Sequence, residues 1–110
     1  MKSIKVEIEI HEKEIMFFLG TKKEISVELE IAVKNSSKGG YLHKIGTVFV
    51  CTDDKEGKQR DKAHILGTLV HEITHVVDRM AMKKGFMDEL EHKAYISAFL
   101  FREAYKGLGF

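Results

Sequence analysis

The chain has 110 residues, 44% apolar and 32% charged, and its 18 basic and 17 acidic side chains leave a formal charge of +1. That length holds one domain and one core, with no room for a large substrate-binding lobe beside a catalytic one. The even charge balance and scattered basic residues give no electrostatic reason to expect nucleic acid or an anionic membrane as partner, and the lone cysteine, Cys51, excludes an intrachain disulfide.

In chain order, Ile4, Val6, Ile8 and Ile10 alternate with charged residues, the period-two pattern of a half-buried strand. "EIMFFLG" at 14–20 predicts the return strand of a hairpin. Its apolar run, Ile15–Leu19, is too short for a signal-peptide core or a membrane span. Together with the free thiol this gives the expectation of a cytoplasmic protein, in its own cell or in a host. Ile25, Val27, Leu29, Ile31 and Val33 repeat the alternation and predict a third strand. "NSSKGG" at 35–40 reads as a turn or loop. "GTVFVCT" at 46–52 predicts a fourth strand, and "DDKEGKQRD" a solvated loop. From Asp61, a suitable N-cap, to Lys84 the apolar spacing becomes helical, and "KKG" supplies a stop. A second helix is expected from about Asp88 to Lys106. Strands first and helices afterwards predict an α+β fold.

The first helix carries "HEITH" at 71–75. At 100° per residue, His75 falls about 40° from His71 and one turn on, so both imidazoles can share one ion. Glu72 lies at about 100°, off the ligand line yet near a water activated there. Ile65, Leu66, Leu69, Val70, Ile73, Val76, Val77 and Met80 fill an arc from roughly 120° to 260°. The histidines therefore stand off the core stripe.

A catalytic zinc takes three protein ligands and keeps one open position. Glu91 shares a helix face with Ala94, Tyr95 and Ala98. Those small neighbours are expected to bring the second helix close and direct Glu91 toward the histidines. Asp78, three residues after His75 and on the ligand line, is the alternative ligand or a partner that orients an imidazole. Glu89 and His92 fall on the more polar side. His64 is expected to be exposed in the first turn. His43, in "GGYLHK", is of a type able to bind a developing oxyanion from a loop. No Ser-His-Asp or Cys-His set stands out, and Cys51 lies in a strand pattern as a packing residue.

"TLVHEITHVVDRM" followed by "DELEHKAYISAFLFREAY" resembles the small zincin-like metallopeptidase domains of bacteriophage and prophage genomes. In those domains an H-E-x-x-H helix precedes a helix bearing an acidic residue and an Ala-Tyr pair. The resemblance covers about residues 66–105. It implies a gluzincin arrangement on a zincin-like fold, with His71, His75 and Glu91 binding one Zn2+ and Glu72 as general base. It also implies a peptide or protein substrate laid along an edge strand of the small sheet. Zinc would lower the pKa of a water to about 7, and Glu72 would take its proton and return it to the leaving amine. The competing expectation is a non-catalytic module, its metal structural or missing, that binds a host or virion partner through its strand edge. Glu72 separates the two, because a structural site has no use for a base. Neither expectation fixes the cleavage preference or the oligomeric state.

Overall fold

The two N-terminal alternating segments pair as expected. In the computed structural model, which describes all 110 residues, β1 (Lys2–Ile8) runs antiparallel to β2 (Lys13–Gly20). Ile4 lies opposite Phe17 and Val6 opposite Ile15, so every second side chain stacks on one face. Ile15 and Phe17 are fully buried there.

Residues 25–33 do not form the strand that their alternation predicts. Lys22–Leu29 is instead a helix, α1. The reason sits at its start: the Thr21 hydroxyl accepts from the Glu24 N–H at 3.1 Å, and the Glu24 carboxylate accepts from the Thr21 N–H at 2.9 Å. This reciprocal box satisfies two otherwise orphaned donors and nucleates the helix. Of the alternating residues only Ile25 is fully buried, while Val27 faces solvent. Lys22 ties α1 to the chain beyond the sheet, pairing with the Asp53 carboxylate at 3.2 Å and donating to the Asp53 and Asp54 carbonyls.

The remaining strand comes from the glycine-rich stretch expected to be a loop. Gly39–Leu42 is β3, antiparallel to β4 (Thr47–Cys51). A Cβ on Gly39 would stand 2.7 Å from the Phe49 carbonyl oxygen and 2.8 Å from Thr68 Cγ2, and one on Gly40 2.8 Å from the Phe49 ring. Only glycine lets the strand lie this close. The sheet order is β1-β2-β4-β3, with β2 and β4 parallel, so the fold is α+β with a mixed sheet. Every residue of β4 is buried. Val48 and Val50 join the main core, whereas Phe49 and Cys51 join Ile25 in a smaller core on the opposite face.

The main core is closed by α2 (Lys62–Lys84) and α3 (Leu90–Gly107). Asp61 caps α2 by accepting from the His64 N–H at 2.8 Å, and Gly85, at φ 79, ends it. Arg60 clamps its first turns to the sheet, donating to the Cys51 carbonyl and the Thr68 hydroxyl, both at 2.7 Å, and to the His64 carbonyl at 3.1 Å. Leu69, Ile73, Val76 and Val77 point into the core, but Val70, at the limit of the expected arc, is 49% exposed.

A second correction concerns α3. It docks through Ile96, Leu100 and Ala104, so the face holding Glu91, Ala94, Tyr95 and Ala98 is turned to solvent. Stabilisation scales with apolar area removed from water. Isoleucine and leucine offer more of it than alanine, and they decide the helix rotation.

Candidate metal centre

His71 and His75 leave the exposed side of α2. Their Nε2 atoms lie 3.1 Å apart, with the rings edge to face at 87°. Two nitrogens bound to one tetrahedral zinc at their usual distance are about 3.3 Å apart. The pair thus fits a single cation with an adjustment of a few tenths of an ångström. Glu72, on the neighbouring stripe, is only 7% exposed. Burial pushes its carboxyl above the ordinary carboxylate range, opposed by the nearby imidazoles, and no hydrogen bond offsets that burial.

A cleft of about 490 Å³ runs between β3 and α2. Gly39, Gly40 and Tyr41 form the strand wall, with His43 from the 3-10 turn that follows. The helix wall is Glu72, His75, Asp78, Arg79 and Met82. His71 stands outside the cleft lining, 3.1 Å from His75. His43, expected only by residue type, therefore shares a cleft with Glu72 and His75. Its imidazole is held below the ordinary histidine value, first by loss of solvent and then by the cations Arg79, Lys83, Lys44 and Lys13.

The carboxylates considered as third ligand divide. Asp78 lines the cleft and forms an ion pair with Lys93 at 3.0 Å, which joins α2 to α3. Glu89 and Glu91 are exposed where α3 begins and are not brought to the histidines. No three His, Cys, Asp or Glu side chains stand together as a ligand set. The donor pair fits a cation, then, while a third donor is not assembled around it. His64 is exposed and pairs with its cap residue Asp61 at 3.0 Å. Cys51 is fully buried, and burial raises its thiol to about 11, so it is a packing residue.

Sequence reasoning missed Arg79 and Tyr41 as parts of the cleft. Arg79 had a signal, one helical turn after His75; Tyr41 had none, since only tertiary packing brings β3 to α2. It also missed a second histidine pair. His11 and His92, 81 positions apart, bring their Nε2 atoms within 2.8 Å, with His11 stacked on Phe86 at 4.9 Å. No local pattern announces a contact of that separation.

The chain matches no protein family, no curated protein and no solved structure. No helix is long and apolar enough to cross a membrane.

Proposed function

We propose that the chain is a metal-dependent hydrolase of peptide bonds, with His71 and His75 holding a zinc-type cation and Glu72 as general base. One observation carries this reading. The Glu72 side chain is almost wholly buried and makes no hydrogen bond within the protein, directly beside two imidazoles spaced for one ion, with its carboxylate oxygens left to the solvent of a cleft. Withdrawing a carboxylate from most of its solvent costs stability, and a base of raised pKa is what proton transfer near neutral pH requires. For the third ligand, the place of Asp78 in the cleft supports it over Glu91, whose helix face points away. That ligation would take Asp78 from Lys93.

A zinc ion held there would supply Lewis-acid polarisation of a carbonyl and a lowered water pKa. The residues of the chain do the rest. Glu72 accepts the proton of the attacking water and delivers it to the departing amine nitrogen. His43 and Tyr41, on the facing wall, offer donors to the oxygen on which charge develops. β3 pairs only with β4, so its outer edge can align an extended peptide by main-chain hydrogen bonds. That edge is the reason a peptide, rather than a compact small molecule, suits the cleft.

The test is metal content and hydrolysis on the same untagged protein. About one equivalent of zinc or a similar ion is expected, with cleavage of an unfolded protein. Glu72→Gln should keep the metal and lose activity by about a hundredfold or more. Less than roughly a tenth of an equivalent after supplementation overturns the reading, since an ion-dependent step needs a resident ion. Metal retained without any hydrolysis points instead to the non-catalytic module using the free β3 edge.

A further inference from the structure

The cleft does not end at His75. One turn further along α2, Arg79 leaves the helix, and beyond it a smaller hollow of about 60 Å³ shares Tyr41, His43 and Arg79 with the cleft. The rest of its lining is Lys13, Met80, Lys83 and Lys84, with no carboxylate. Of the 18 basic residues, Lys5, Lys22, Lys93 and Lys106 lie within 4.0 Å of an acid. Lys13, Arg79, Lys83 and Lys84 have no such partner. One buried side-chain nitrogen in the chain lacks a hydrogen-bond acceptor, and it is Nε of Arg79.

These facts have one chemical complement. A guanidinium N–H shut away from water without an acceptor is costly, and its fork geometry matches a carboxylate. A hollow of about 60 Å³ has room for a few waters, hence for a carboxylate in their place. Outside it the basic residues are scattered and the formal charge is only +1, which disfavours a track for a polyanion. Arg79 lies about 6 Å along the helix from His75, and an extended peptide advances about 3.3 Å per residue. The charge selected therefore sits within about two residues of the bond beside His75.

We propose that Arg79, Lys83, Lys13 and His43 form an anion subsite that selects peptides carrying a carboxylate close to the bond to be cleaved. This rests on the hydrolytic reading of the cleft for its purpose, though not for its chemistry. The carboxylate has two sources, an acidic side chain or a free C-terminus, and both offer the same two oxygens.

Binding is tested by fluorescence anisotropy on the full chain carrying Glu72→Gln, so that nothing is turned over. Three labelled peptides of one neutral sequence serve as probes: amidated, amidated with one internal Glu, and with a free C-terminal carboxylate. At least one carboxylate peptide should bind about tenfold more tightly than the neutral amide at low salt, and most of that advantage should vanish near 0.5 M salt. Which of the two prevails identifies the source. Arg79→Gln and Lys83→Ala, the second at an exposed position, should each cut the advantage to about threefold or less. Lys106→Ala, on α3 away from the hollow, should leave it intact. Equal binding of all three peptides overturns the subsite, as does an advantage that survives Arg79→Gln combined with Lys83→Ala. Displacement of the peptides by a short single-stranded oligonucleotide at lower concentration than by unlabelled peptide also overturns it. A carboxylate preference in a chain whose wild-type form cleaves none of the probes upholds the subsite and removes the hydrolytic reading.

Discussion

Two pairs of histidines approach within hydrogen-bonding distance in this molecule, and their surroundings give them opposite meanings. His71 and His75 come from one helix, stand in solvent, and flank the almost wholly buried Glu72 side chain at a cleft. His11 and His92 come from opposite ends of the chain, are half-buried, and lie against the Phe86 ring. The first arrangement holds a carboxylate that no protein group donates to, its oxygens left to the cleft. The second arrangement has every group in contact with something that stabilises it. Proximity of two imidazoles is therefore not a site. What separates them is whether the fold gains or loses stability by building the pair.

The largest expected effect tests that distinction at once. His71→Ala or His75→Ala should abolish metal retention and reduce hydrolysis about a hundredfold or more, while His11→Ala and His92→Ala change neither. Metal analysis of the four variants reads this, and metal lost from the His11 variant instead would reverse the comparison. Next, Glu72→Met should raise stability by about 1–2 kcal/mol in urea unfolding while removing activity, because an apolar side chain of similar size suits that burial better. A destabilised Glu72→Met would mean that the carboxylate has partners in the folded state. At the other pair the sign inverts. His11→Ala should destabilise by about 1–2 kcal/mol through the lost hydrogen bond and ring stacking.

The smallest effect is a pH dependence. Burial first, then His92 and Lys84, hold the His11 imidazole below its ordinary value of 6.5. Just below pH 6.5 the unfolded chain thus binds a proton that the folded chain resists. Stability is full above about 6.5 and declines as pH falls from there through the lower folded value. His11→Gln should flatten that slope in unfolding curves measured across the range. A slope unchanged by the substitution would place the titrating group elsewhere.

Local signals carried the hairpin and α2, whose alternation, cap residue and glycine stop all lie within a few positions of what they specify. Over residues 25–33 the alternation of five apolar residues yields to the Thr21–Glu24 box, whose four residues commit the chain to a helix. β3 left no side-chain pattern to read, because the fit that makes it a strand excludes side chains at Gly39 and Gly40. The motif on α2 was readable, as both histidines are exposed and Glu72 sits at the margin of the core. The partner wall of the cleft was not, because β3, Tyr41 and His43 reach α2 only through tertiary packing. For Glu91 the difference is one of rotation: the small residues Ala94 and Ala98 predict one contact face, and the larger aliphatic residues opposite make the contact.

The Arg60 clamp has a further consequence. One guanidinium grips the end of β4 and the first turns of α2, and it also donates to the Lys38 carbonyl, next to the start of β3, at 3.2 Å. Both jaws of the cleft are thus tied by a guanidinium that rests on Thr68, one helical turn or about 6 Å before Glu72. A substitution of Arg60 should therefore loosen how the jaws are held together without touching any group that lines them.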